Sequence, residues 1–304
     1  MPSALSLIKT EARNQLRKMV PLRLKRPVFL VPGWTDQACF CWTEPYTEGG
    51  VARRPGWEYT IQDWVEKIVD PADHDKVVFI KNVEDEKNLQ VKRFTSGPRK
   101  GKVRTAAWIG DATGEYENFF QFSELLKSKI RAAGAGEYDL IGHSMGGLDI
   151  ISAVVLERQL DQEPEVQRFI KTPPLEGTHH IITVSTPFRG SPGAGLIKNT
   201  QLDEIFMPNW SQGIRKQGEA MAPDSSFIKI ITHAERQRRL IQKVSGSVHT
   251  FGSQNDRAVP DSHRMIDGAN NHPAGSFELA QHSQRMGIPQ DPRIALEIFR
   301  ILVS

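Results

Sequence analysis

The segment 142–147 reads Gly-His-Ser-Met-Gly-Gly, which contains the spacing Gly-x-Ser-x-Gly. It follows a predicted strand that ends at Ile141 and precedes a predicted helix, so the pattern predicts a sharp strand-to-helix turn at Ser144. On such a turn, side chains two positions before and after the serine would collide, and Gly142 and Gly146 avoid those collisions. The turn also sets Ser144 at a helix N-terminus, where free N–H groups favour developing negative charge. We therefore predict that Ser144 is a catalytic nucleophile.

The specificity of this signal comes from its surroundings. At this glycine content the bare pattern would occur by chance in roughly one chain in ten. A chance occurrence of the pattern between a predicted strand and a predicted helix is much rarer. A phosphate-binding loop is the competing glycine-rich interpretation, but it ends in Gly-Lys-Ser/Thr and no lysine follows here.

A serine hydroxyl needs a base, usually a histidine, which a carboxylate orients. On parallel sheets with this turn the partners follow in the order Ser, Asp, His. Asp256 comes shortly after the predicted strand 247–252, at the end where ligand sites of parallel sheets gather. We therefore predict Asp256 as the acid. Asp261 and Asp267 are rivals that lie further from the strand.

The base is predicted on a loop before the last helix. His282 follows a weak predicted strand and precedes that helix, so it is the first choice. His272, in a turn-rich loop, is the runner-up, and His263 is too close in sequence to Asp256.

A carbonyl group under attack by the serine becomes a tetrahedral oxyanion, which two preorganised backbone N–H groups should stabilise. Met145 supplies one, as the residue after the nucleophile. Trp34 supplies the other, in the loop after the strand that ends at Val31. Pro32 cannot donate, and Gly33 lets the chain turn toward the site.

Strands that alternate with helices predict an α/β fold with a mostly parallel central sheet and helices on both faces. We expect a basic N-terminal extension over 1–26 and a single domain over 27–304, with insertions near 35–105 and 187–225. A lid is predicted over 190–221. The predicted strands cover 27–31, 76–82, 88–95, 103–109, 137–141, 180–184, 247–252 and 275–279, and the predicted helices cover 60–69, 118–133, 146–160, 226–243 and 292–302.

Composition excludes several classes of protein. The chain has 304 residues, 38% of them hydrophobic and 25% charged, and no apolar stretch long enough to span a bilayer. A net charge of +3 is too small to predict nucleic-acid binding. The two cysteines, Cys39 and Cys41, are too close in sequence for an ordinary disulfide and too few for a zinc site, so we expect free thiols.

The positive charge is concentrated at the N-terminus. Residues 1–26 contain seven basic residues and one acidic residue, whereas residues 27–304 contain 32 basic and 35 acidic residues. No apolar run of signal-peptide length follows, so we expect a cytoplasmic protein. Two interpretations stay open, a helix packed on the body with a solvated basic face and an interfacial anchor for anionic lipid. The apolar positions of this helix have helical spacing, and they are Leu5, Ile8, Ala12, Leu16 and Met19.

Four segments resemble bacterial lipases and related serine esterases of the α/β-hydrolase superfamily. They are 28–34 (Val-Phe-Leu-Val-Pro-Gly-Trp), 142–147, 184–192 (Val-Ser-Thr-Pro-Phe-Arg-Gly-Ser-Pro) and 221–227 (Met-Ala-Pro-Asp-Ser-Ser-Phe), in the family's order. Two positions differ from the family's pattern, which usually has histidine where this chain has Pro32 and Phe188. The region 35–102 matches no segment of that family.

The resemblance implies an esterase or lipase that cleaves carboxylic esters through a Ser144–His282–Asp256 triad and an acyl-enzyme, with no cofactor and no metal. An ester or lipid is the expected substrate, and peripheral membrane contact through the basic N-terminus follows only from the second of the two interpretations of residues 1–26. Two alternatives remain, an acyltransferase with an alcohol acceptor and a non-catalytic binding protein of the same fold.

Overall fold

A parallel sheet lies at the centre of the computed structural model, which describes residues 4–33, 47–48, 51–52, 60–80, 89–93, 103–108, 117–158, 164–194, 212–253, 256, 258–272 and 291–304. Within these residues the sheet has six strands in the order β10-β9-β8-β7-β1-β4, and all neighbouring pairs are parallel. These strands are β1 (Val28–Val31), β4 (Val77–Phe79), β7 (Tyr138–His143), β8 (Thr178–Val184), β9 (Ser247–Phe251) and β10 (Asn270–Asn271).

Helices cover both faces of the sheet, as the sequence predicts. One face packs on α3 (Glu117–Ala132), α4 (Met145–Val155), α7 (Ser226–Thr232) and α8 (Ala234–Lys243). The other face packs on α1 (Ala4–Lys18), α2 (Ile61–Ile68) and α9 (Pro292–Leu302). Successive side chains of a strand point to opposite faces, so Phe29 joins the first core and Leu30 the second.

Local sequence signals fix the ends of several helices. Thr60 caps α2 through a reciprocal pair of hydrogen bonds with Asp63. Asp291 caps α9 by accepting a bond from the N–H of Arg293, and Pro292 occupies the first helical position. These two helices accordingly match the predicted ranges to within one residue at either end.

The predicted helix 146–160 is too long. It ends at Val155, because Leu156 has an extended backbone that stops the helix, and α5 (Pro164–Phe169) follows separately. The predicted helix 226–243 divides into α7 and α8 at His233, whose ψ of 129° is not helical.

Two pairs of strands do not join the parallel sheet. Strands β5 (Leu89–Arg93) and β6 (Val103–Trp108) were both predicted, and they form an antiparallel hairpin. Strands β2 (Thr47–Glu48) and β3 (Val51–Ala52) form another antiparallel pair. A sixth helix in chain order, α6 (Gln212–Ala220), lies within the predicted lid. The predicted strand 275–279, both cysteines and residues 195–211 of the predicted lid lie outside the described residues.

The N-terminal segment packs on the body, as the first of the two interpretations expects. Ala12 and Leu16 are buried in the core beneath α9. Ile8 does not follow this pattern, because its side chain is 53% exposed. The nitrogen of Lys9 lies 3.5 Å from the carboxylate of Asp291, the residue that caps α9. Lys9 is therefore level with the start of α9, and the turn of α1 before Lys9, which contains Ile8, extends beyond that start. No helix of the described residues is long and apolar enough to cross a membrane.

A string of imidazoles and a serine hydroxyl lies along β9. Ser247 Oγ lies 3.0 Å from His180 Nδ1 and 2.6 Å from His249 Nε2. His249 Nδ1 lies 2.9 Å from His272 Nε2. Burial lowers the pKa of both His180 and His249 to about 4, and the neighbouring imidazoles His179 and His272 add to the effect. The folded protein therefore holds these rings neutral.

This string predicts acid sensitivity. In the unfolded chain His249 takes up a proton near pH 6.5, whereas in the folded chain it does so only near pH 4. Between these values the unfolded state binds more protons, so stability falls as the pH falls. We expect His249→Gln to reduce this loss, measured as the change in free energy of unfolding between neutral and acid pH. Equal pH dependence in the variant and the parent would contradict the assignment.

Candidate active site

Ser144 has a backbone conformation that an L-residue seldom adopts, with φ 52° and ψ −123°. It follows β7 directly, and α4 begins at the next residue. Such a conformation costs of order 1–3 kcal/mol and persists only where the surroundings hold it in place. The N–H of Ser144 donates to the carbonyl of Val184 on β8 at 2.8 Å, and the carbonyl of Ser144 accepts from Gly147 at 3.1 Å. The serine hydroxyl does not cap the helix that it precedes.

The turn at Ser144 leaves no space for side chains on either side. A Cβ added at Gly142 would lie 2.6 Å from the nitrogen of Gly147. A Cβ at Gly146 would lie 2.6 Å from the carbonyl oxygen of Val31 on β1 and would collide with the next carbonyl, that of Pro32. Atoms at these separations overlap. The two glycines that the sequence pattern singles out are therefore a steric requirement of the turn.

The loop after β1 reaches the same turn. A Cβ added at Gly33 would lie 3.1 Å from the Cβ of Ser144 and 3.0 Å from His143 Nδ1. Met145 is the first residue of α4, so its N–H belongs to the unpaired N-terminal turn of that helix. Trp34, the other predicted oxyanion donor, lies outside the described residues.

Asp256 is buried at the same edge of the sheet. Residues His143, Val184 and Phe251 align across β7, β8 and β9, so the three strands end side by side. Asp256 comes five residues after Phe251, and its Oδ1 accepts bonds from the N–H groups of Ala258 at 2.9 Å and Val259 at 3.0 Å. These bonds fix the orientation of one carboxylate oxygen in the loop.

Neighbouring segments hold the Asp256 loop in place. Ser191 Oγ donates to the carbonyl of Ala258 at 2.6 Å, which connects the loop to the segment after β8. Arg264 is buried and donates to the carbonyl and hydroxyl of Thr250 on β9 and to the carbonyl of His272. This one guanidinium therefore fixes the loop to the strand before it and to the chain after it.

The histidine candidates fall into two groups. His282, the predicted base, lies outside the described residues. His272 is held by its bond to His249 and stacks on Phe251 with ring centroids 4.0 Å apart, and His263 Nδ1 bonds to the carbonyl of Gly190 at 2.7 Å. Both rings thus have structural contacts. Across the described ranges, no three His, Cys, Asp or Glu side chains converge as a metal ion would require.

Ser185 is a second residue with unusual geometry that the sequence did not reveal. It follows β8 with φ 51°, and Ser144 and Ser185 are the two non-glycine residues with positive φ among those described. The Ser185 hydroxyl is buried and has no hydrogen-bond partner. A strained serine therefore follows each of two neighbouring strands. Of the two serines, only Ser144 has the flanking glycines by which the turn can be recognised in the sequence.

Asp149 is a buried acid one turn into α4. Both of its carboxylate oxygens are buried and lack hydrogen-bond partners. Burial alone raises its pKa well above the usual 3.8. The carboxyl group is therefore protonated in the folded protein over a pH range where the unfolded chain ionises.

Asp149 gives a pH-dependent stability prediction. As the pH rises above 3.8, the unfolded carboxyl loses its proton and the folded one keeps it, so Asp149 progressively destabilises the fold. Asp149→Asn should gain stability relative to the parent as the pH rises, measured by chemical denaturation at several pH values. The exposed substitution Glu235→Gln on α8 is the matched control. A difference between Asp149→Asn and the parent that does not change with pH would refute the assignment.

Comparison with known proteins finds similarity to solved structures but not to family models or curated sequences. No protein-family model and no curated protein matches the chain. The mature form of the Bacillus licheniformis lipase BlEst2 aligns over 93% of this chain and 94% of its own, with a TM-score of 0.50 and 15% identity. A monoacylglycerol lipase from Paleococcus ferrophilus aligns over 91% of this chain and 93% of its own, with a TM-score of 0.40 and 12% identity. Together with the parallel sheet, the alignment to the Bacillus licheniformis lipase confirms the predicted fold class, and the chain adopts the α/β-hydrolase fold.

Proposed function

We propose that this protein is a serine hydrolase that cleaves carboxylic esters, with Ser144 as its nucleophile. The observation that most supports the proposal is the backbone of Ser144, with its positive φ between β7 and α4. A strained serine at the carboxyl edge of a parallel sheet is what presents a nucleophile to a substrate. The structural role of Gly142 and Gly146 supports the same interpretation.

The proposed reaction has two steps. His282 removes the hydroxyl proton of Ser144 as the oxygen attacks the ester carbonyl, and the N–H groups of Met145 and Trp34 stabilise the oxyanion. His282 then gives that proton to the leaving alcohol, which leaves an acyl-enzyme. In the second step His282 takes a proton from water as the water oxygen attacks the acyl carbonyl, and it returns that proton to Ser144 Oγ as the carboxylic acid leaves. Asp256 holds the imidazole tautomer and stabilises its cation.

Two features support the roles given to the backbone groups. Gly33 brings the loop after β1 against Ser144, which suits a donor at the next residue, Trp34. Met145 begins α4 directly after Ser144, which suits its N–H to the role of the other donor. Esters are the favoured substrates because the lipase-like segments carry the resemblance, and the Bacillus licheniformis protein of this fold is named a lipase.

Removal of the nucleophile tests the proposal. Ser144→Ala should lower kcat by about six orders of magnitude, as in other triads, because no other group forms the acyl-enzyme. The assay is hydrolysis of p-nitrophenyl esters from acetate to palmitate, with circular dichroism to verify folding. Activity in the folded variant close to that of the parent would exclude this mechanism.

The role of Asp256 can be tested against another acid of the same region. Asp256→Asn should lower kcat by about four orders of magnitude, since the base would lose its orienting partner. Asp267→Asn is the matched control, because Asp267 was a rival candidate and its side chain is 82% exposed. Rates would be measured on the best ester of the panel. Equal losses in the two variants, or a loss in Asp267→Asn alone, would assign the acid elsewhere.

A further inference from the structure

The exposed large apolar side chains of the described residues are all in the N-terminal segment. Leu7 is 57% exposed, and Ile8 and Val20 are each 53% exposed. A single exposed leucine is ordinary, but here Leu7 and Ile8 are adjacent in the first turns of α1, and Val20 follows the end of the same helix. The rest of the described surface contains no others.

The same segment holds the excess positive charge. Arg17 and Lys18, in the last turn of α1, are exposed, as are Arg23 and Lys25 in the chain that follows. Arg23 also contacts Asp70, yet 67% of its side chain remains exposed. Residues 1–26 have a net charge of +6 while the rest of the chain is slightly negative. Exposed apolar and cationic side chains close together are the two components through which a helix binds the surface of an anionic membrane.

One side of α1 packs on the protein and the opposite side faces solvent. Ala12 and Leu16 lie in the core, and Lys9 is paired with Asp291. The helix is therefore held to the protein by one side. The opposite side presents Leu7, Thr10, Asn14, Arg17 and Lys18, together with one acid, Glu11, and Ile8 is exposed at the margin of that side.

The helix also has a defined direction relative to the sheet. Lys9 contacts Asp291 at the start of α9, and Gln15 accepts a bond from Arg300 near its end, so the two helices run side by side in the same direction. Ser304, just after α9, lies near His180 at the beginning of β8. The beginning of α9 and the first turns of α1 are therefore near the carboxyl edge of the sheet, where Ser144 also lies.

We propose that the exposed side of α1, with Val20, binds the surface of an anionic lipid bilayer. Leu7 and Ile8 enter the interface near the catalytic edge of the sheet, and Arg17 and Lys18 contact the acidic headgroups. Such binding would bring esters of the membrane close to Ser144, a consequence that rests on the proposed function. Membrane binding itself does not depend on it.

The test is sedimentation of the full chain with vesicles. The protein would carry Ser144→Ala so that binding is measured without hydrolysis. One set of vesicles is phosphatidylcholine alone, and the other is equal parts phosphatidylcholine and phosphatidylglycerol. We expect at least about tenfold stronger binding to the anionic vesicles at low salt, and a loss of that preference at high salt.

Two double variants remove the two components of the surface. Leu7→Ser with Ile8→Ser removes the apolar contact, and Arg17→Gln with Lys18→Gln removes the charge. Each should weaken anionic binding by about tenfold. The matched control removes two exposed cations on α7 and α8, through Lys229→Gln with Arg238→Gln, and should bind like the parent.

Several results would overturn the proposal. These are equal binding of the parent to both kinds of vesicle, unchanged binding in both N-terminal variants, and an equal loss in the control. A fall in thermal stability in both N-terminal variants would show that these side chains pack on the protein. Parent self-association that Leu7→Ser with Ile8→Ser abolishes would show that the surface joins two copies of the chain. The ester assay on a short soluble substrate, with Ser144 restored, reports separately on the proposed function.

Discussion

The reversal of the chain at Ser144 is the constraint on which the rest of the site depends. A strand must become a helix within one residue, and that residue takes a φ of 52°. The surroundings must then approach so closely that Gly142 and Gly146 have no room for a Cβ. The hydrogen bond from Ser144 to Val184 fixes the turn to the adjacent strand. Strain at one residue is thus balanced by the packing of three strands and one helix.

A second group of interactions holds the loop around Asp256 at the same edge of the sheet. Asp256 accepts two backbone bonds within its own loop, and Ser191 fixes the far side of that loop through the carbonyl of Ala258. Arg264 then joins the loop to β9 and to His272. A buried guanidinium is stable only when its donors are paired, so these hydrogen bonds require one conformation of the loop.

The sequence predicted the parts of this site that depend on local spacing. The turn at Ser144 requires residue types at fixed offsets, and Asp256 comes shortly after strand β9 (Ser247–Phe251), which was predicted over 247–252. It could not predict the backbone of Ser185 or the isolation of Asp149, because both depend on segments distant in the chain. Strand β10 was missed because Asn270 and Asn271 show no alternation of apolar residues. The exposure of Ile8 depends on where α9 begins, which helical spacing does not encode.

The central claim is that the strained Ser144 is an activated nucleophile. Labelling of the native protein with a fluorophosphonate, followed by mass spectrometry of its peptides, tests this claim most directly. We expect one phosphonylated residue, Ser144, and no labelling of protein that has been unfolded first. Failure of the folded protein to label, or a label on another serine such as Ser185, would contradict it.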